Sequence, residues 1–257
     1  MDYKKTGRAG DLTIPWERRL YRFFEILPGF LAWATLLAVV LFSFIAPVWV
    51  AIFIILFDIY WLIKTVFLSW HLRSAFQQLR RNLQVDWLQK LNQLSTTNYQ
   101  LSTIKSWQDI YHLVILPMYK EDEGLVSASV ESILRSDYPK NRLIVVVAQE
   151  ERAGEEHNKN IREHLMGEYG SKFFKFMTVS HPANLPGELP GKGSNASYAA
   201  RRVKEELIDG LRIKYDHVLV SNLDIDTVIP EHYFSLLTYL FLTTPDPLRT
   251  SYQPIPL

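Results

Sequence analysis

VSNLDID, residues 220–226, is the stretch on which the fold turns, because an apolar run ends there abruptly in two aspartates. Asp224 and Asp226 stand two residues apart, at the carboxyl end of what reads as a buried strand over 217–221. In open α/β sheets that end is where ligands bind. Two carboxylates there offer hard oxygen ligands to Mg²⁺ or Mn²⁺, and such a cation would neutralise a substrate diphosphate. The plain alternative is a pair of solvated turn aspartates. The loops upstream weigh against it.

Working back from that strand, residues 111–221 alternate strand and helix signals. HLVILP (112–117) reads as a buried strand stopped by proline, and RLIVVVA (142–148) as a second. A third falls at 173–179, with helices expected over 123–135, 155–167 and 194–208. Such alternation argues for a parallel sheet covered on both faces, with the strand ends converging on one crevice. Three loops lie at those ends. In LPMYKEDEG (116–124), Tyr119 and Glu121 sit in the turn before a helix, where ordinary loop polarity is the competing explanation. AQEER (148–152) leaves the second strand. In LPGKGSNASYAAR (189–201), glycines permit close backbone approach, Lys192 supplies a cation, and Ser194 or Asn195 can cap the helix. A lone GKGS lacks the spacing of a P-loop.

Taken together, Pro-x-Tyr-x-Glu, polar groups after the second strand, GKGSN before a helix and D-x-D after a later strand resemble the family 2 glycosyltransferases with the GT-A fold. The likeness covers roughly residues 111–230, and a membrane segment ahead of such a domain is similar to members that build or modify polysaccharides and glycolipids. The resemblance implies an α/β, Rossmann-like nucleotide-diphospho-sugar transferase domain that passes a hexose-type sugar from a nucleotide-diphosphate donor to a polysaccharide or lipid acceptor. It implies that Tyr119 and Glu121 line the nucleoside pocket, and that Lys192 and Asn195 lie near the nucleotide or its sugar-bearing diphosphate. Asp224 and Asp226 would bind the ribose–diphosphate and its Mg²⁺ or Mn²⁺. Gln149 and Glu150 stand where the family commonly has adjacent aspartates, so the base is left open. The family's acceptor half, with its catalytic-base acid, has no counterpart here; that base is expected beyond Leu257, and the chain reads as the N-terminal portion of a longer protein. A non-catalytic membrane scaffold or sensor, and a nucleotidyl- or phosphotransferase, are the competing functions.

Composition bounds the rest. A net charge of +1 gives no global field for nucleic acid, and the chain has no cysteine, which excludes disulfides, thiolate zinc sites and cysteine nucleophiles. Residues 26–68 are almost uninterruptedly apolar, too long for one comfortable crossing and about right for two, with Pro47 as the place to turn. A transmembrane hairpin is therefore expected over 27–68, with spans near 27–46 and 48–67, after an N-terminal segment 1–26; a buried soluble hairpin is the alternative. Lys4, Lys5, Arg8, Arg18, Arg19 and Arg22 precede it, and Lys64, Arg73, Arg80 and Arg81 close it, which puts both flanks in the cytoplasm. A bacterial inner or plasma membrane is the expected setting. Asp58, near mid-span, is expected to face another helix. Residues 71–94 show helical apolar spacing, for a helix lying on the membrane or packing on the next domain, and 95–106 reads as a linker; the two make up a 69–108 segment ahead of the 109–257 catalytic domain.

Overall fold

The computed structural model describes residues 7–253, so Lys4, Lys5 and the end of SYQPIPL lie outside the described residues. Two long helices come first. Helix α1 (Pro15–Ile45) starts on a proline, whose missing N–H is no loss in a first turn. It ends because Ala46 adopts φ −143°, ψ 60° ahead of Pro47, which disfavours a helical residue before it. Helix α2 (Pro47–Asn82) begins one residue later. The two run 31 and 36 residues, about 46 and 54 Å, against a hydrocarbon core of about 30 Å. Both are long and apolar enough to cross a membrane. Each outruns the expected span, α1 at its amino end and α2 at its carboxyl end. Neither buries a residue, and Asp58 is exposed.

The single helix expected over 71–94 is two helices. Asp86 accepts a hydrogen bond from the Gln89 amide at 2.8 Å and caps a new helix, α3 (Trp87–Gln93), so the chain turns between Asn82 and Asp86. Trp87 and Leu91 on α3 are buried, and the Trp87 ring lies 5.2 Å from that of Tyr239. Residues 95–106 are not a loose linker either. Ser95 and Ser106 each cap a short 3₁₀ turn, and Ile104, Trp107 and Ile110 are buried in the core that follows.

That core is built on four parallel strands, β1 (Tyr111–Pro117), β2 (Leu143–Glu150), β3 (Lys175–His181) and β4 (Val218–Asn222), in the order β3-β2-β1-β4. Between them run α4 (Glu123–Arg135), α5 (Glu155–Tyr169) and α6 (Lys192–Val203), with α7 (Tyr233–Thr243) after β4. Side chains alternate across the pleat. Val114, Leu116, Val145, Val147 and Phe176 meet α4, α5 and α7, while Leu113, Ile115, Ile144, Val146 and Val179 meet α6. Both faces are covered, which is why β1 and β2 read as unbroken apolar runs. Most element boundaries shift by a residue or two from expectation. The second strand continues two residues past Ala148, the third is displaced to 175–181, and α6 starts at Lys192 and passes at Lys204 into a π turn.

One buried polar pair ties the sheet to α7. His112 on β1 shares a 2.8 Å hydrogen bond with the Thr238 hydroxyl, and its ring meets those of Tyr138 and Phe234 at 4.7 and 4.8 Å. Burial holds the imidazole neutral and drives its pKa down to about 3. Unfolded, the same ring takes up a proton near pH 6.5, so the unfolded state binds more protons between pH 6.5 and about 3, and stability is lost as the pH is lowered through that window. From pH 7 to pH 5 the His112 contribution should be a loss of about 2 kcal/mol. Denaturant titration of the wild type and His112→Gln at both pH values measures it as the part of the pH dependence the variant lacks.

Candidate functional site

The strand order fixes where a ligand can enter. From β1 the chain steps to β2 and β3 on one side, then returns through α6 to place β4 on the other side of β1. The direction of winding therefore reverses between β1 and β4, and at such a switch point the loops leaving the two strands part to form a crevice.

The loop after β1 supplies Tyr119 and Glu121. Met118 is buried and its amide donates to the Ala148 carbonyl at 2.9 Å, which holds the start of the loop against the end of β2. Glu121 folds back to accept from the Tyr119 amide at 2.5 Å, and Asp122 caps α4 through the Leu125 amide. The Tyr119 ring is left exposed, with Lys120 and Arg152 5.3 and 5.7 Å from its centre.

The loop after β4 keeps the strand's alternation for four more residues. Leu223 and Ile225 are buried, and Asp224 and Asp226 point to solvent. Leu223 donates to the Ile115 carbonyl at 3.0 Å. Two serines on the buried face of α4 hold the rest: Ser129 donates to the Ile225 carbonyl, and Ser132 accepts from the Ile229 amide at 3.1 Å. Both aspartates are thus carried on a braced segment. The signal for it in the sequence was a pair of serines three apart on an otherwise apolar helix face.

Lys192, the first residue of α6, joins the two sides. Its ammonium lies 3.0 Å from the Asp224 carboxylate, with both side chains about two-thirds exposed (62% and 64%). The hydrogen bond to Asp224 chiefly raises the lysine's pKa, and the charges of Asp224, Asp226 and Glu121 add to it. An exposed pair of this kind contributes little to stability. Its significance is electrostatic, because one cation is held among three carboxylates.

Tyr119, Glu121, Lys192, Asp224 and Asp226 therefore gather at the switch point. Gln149, Glu150 and Asn195 do not join them there with free side chains. Because β2 continues to Glu150, Gln149 and Glu150 pair with Ser180 and His181 on β3 instead of entering a loop. Gln149 is fully buried, and its amide donates to the Asn158 carbonyl at 2.9 Å. Glu150 is 4% exposed and paired with Arg152 at 2.6 Å, with His181 3.7 Å away. Asn195, far from capping α6, lies buried in its first turn and donates to the carbonyls of Ala148 (2.7 Å) and Met118 (3.4 Å). It locks together the ends of β1 and β2. Ser194 likewise does not cap α6, since its hydroxyl donates to the Gly191 carbonyl. Arg152, between Glu150 and the Tyr119 ring, escaped the sequence reading because nothing in AQEER marks which charge faces which strand end.

No protein-family model matches the chain, and no curated protein matches it. What the crevice can do is carried by its own residues. As ligands for a cation they offer two carboxylates on one braced segment; among the described residues no group of three His, Cys, Asp or Glu side chains is arranged to hold a metal ion. Mg²⁺ is commonly held by one or two carboxylates, with substrate phosphates and water completing its shell. The Lys192 ammonium already marks the place as one that favours positive charge.

If Asn195 is a structural bracket, removing its amide takes the donor from the Met118 carbonyl and one of two donors from the Ala148 carbonyl. Asn195→Ala should cost about 1–3 kcal/mol of folding stability. Chemical denaturation checks this, and a melting curve unchanged from wild type would return Asn195 to the ligand side of the site.

Proposed function

We propose that this chain is a membrane-anchored glycosyltransferase of the family 2 kind, with a GT-A-like donor domain that takes a sugar from a nucleotide diphosphate and passes it to a polysaccharide or lipid acceptor. One observation carries the reading: a parallel sheet with its switch point between β1 and β4 has an exposed aromatic ring, a lysine at a helix start and an i, i+2 aspartate pair around that point. The Tyr119 ring stacks on the base, and Glu121 orders the turn that presents it. The diphosphate lies toward the amino end of α6, where the Lys192 ammonium and the positive end of the helix dipole favour negative charge. Asp224 and Asp226 hold Mg²⁺ or Mn²⁺, which when bound supplies Lewis-acid stabilisation of the departing diphosphate. Lys192, paired with Asp224, then trades that carboxylate for phosphate oxygens and compensates the leaving group's charge. Arg152 pairs with Glu150 at the flank of the crevice. α1 and α2 cross the bilayer as a hairpin with both ends cytoplasmic.

A second reading, a non-catalytic membrane-bound module, is favoured by the engagement of Gln149 and Glu150 inside the protein. Calorimetric titration of the purified chain with UDP, with and without Mn²⁺, separates the two. The proposal expects metal-dependent binding that Asp226→Asn weakens tenfold or more, with the thermal midpoint within about 2 °C of wild type, since exposed substitutions usually stay within about 0.5 kcal/mol. Absence of binding to any nucleoside diphosphate would favour the module.

The topology has its own test. With no native cysteine to interfere, Gly10→Cys and Gln100→Cys can be labelled singly from either side of a sealed membrane. Both should react from the cytoplasmic side; opposite accessibility means an odd number of crossings.

A further inference from the structure

We propose that the carboxyl-terminal part of α2, from Trp70 to Asn82, binds the anionic headgroups of a phospholipid surface; the inference rests on the reading of α2 as a membrane helix. The apolar part of α2, from Pro47 to Trp70, by itself suffices for a hydrocarbon core of about 30 Å. The helix then continues without interruption to Asn82, about 18 Å further along its axis. Headgroups occupy the first part of that distance. Trp70 stands at the junction with 76% of its surface exposed, and an indole there suits the boundary between acyl chains and headgroups.

Charge decides which headgroups. Between Asp58 and Asp86 the chain holds Lys64, Arg73, Arg80 and Arg81 and not one acid. Arg73 and Arg80, seven residues apart, lie on the same side of the helix, at the border of an apolar stripe formed by Leu72, Phe76 and Leu79. All three arginines are exposed. At the start of α1 the cations are offset instead. Glu17 and Glu25 accompany Arg18, Arg19 and Arg22; Arg22 pairs with Glu25 at 2.8 Å, and Arg18 is bound to the Leu12 carbonyl at 2.7 Å. Among the described residues, the positive field without nearby acids thus belongs to α2. An anionic lipid surface is its complement, attracting each nearby cation with roughly a fivefold gain in affinity, most strongly within about a Debye length.

The test uses the full chain in detergent, delipidated and mixed with equal amounts of phosphatidylglycerol and phosphatidylcholine, with retained lipid counted by native mass spectrometry. Wild type should keep phosphatidylglycerol over phosphatidylcholine at least fivefold at low salt. The Arg73→Gln, Arg80→Gln, Arg81→Gln triple variant should fall below twofold. Equal retention of the two lipids by wild type, or a preference unchanged in the triple variant, overturns the inference. Flotation with neutral phosphatidylcholine vesicles separates this from the membrane reading. Wild type and variant should float alike there, and a wild type that floats with no vesicle overturns both.

Discussion

Parallel strands cannot be joined by tight turns, so each return in this domain must cross the sheet through a helix, and that requirement shapes everything else. Helices α4, α5 and α7 occupy one face and α6 the other, which leaves β1 and β2 with no wet side. It also sends all four strand exits to one edge. With β4 beside β1, the loops after those two strands become neighbours although a hundred residues separate them in the chain. Proximity of Glu121 to the aspartates after β4 is therefore a product of winding, not of any local motif.

The crevice is held by bonds that are hidden beneath it. Asn195 and the Met118 amide stitch the ends of β1 and β2, and the Ser129 and Ser132 hydroxyls tie the β4 exit to α4. Exposed charges then sit on a backbone that has little freedom. Such an arrangement suits recognition of a diphosphate, since oriented charge on a fixed frame does not have to reorganise when the ligand arrives. Asp224 and Lys192 meet across the crevice as an exposed ion pair.

Much of this was legible in the sequence, for identifiable reasons. Buried parallel strands write themselves as runs such as LIVVV, and α4 spans the expected 123–135. Two long helices divided at Pro47 followed from length and proline chemistry. What the sequence hid was pairing. Nothing in AQE tells that Gln149 and Glu150 have partners on β3 and so belong to a strand. Asn195 looked like a cap or a ligand because its spacing fits both, and only the neighbouring strand ends reveal its buried role. Asp86 was passed over as a helix start because the apolar period runs straight through it.

The two serines of α4 have a consequence of their own. They are the ruler by which the aspartate segment is placed, since one grips it at Ile225 and the other at Ile229. Any slide of α4 along the sheet would carry Asp224 and Asp226 with it and leave Lys192, on the opposite face, where it was. The gap between lysine and carboxylates is thereby set by the seating of a helix that itself holds none of the charges, and a tuning change in this site can arise from apolar residues deep under α4.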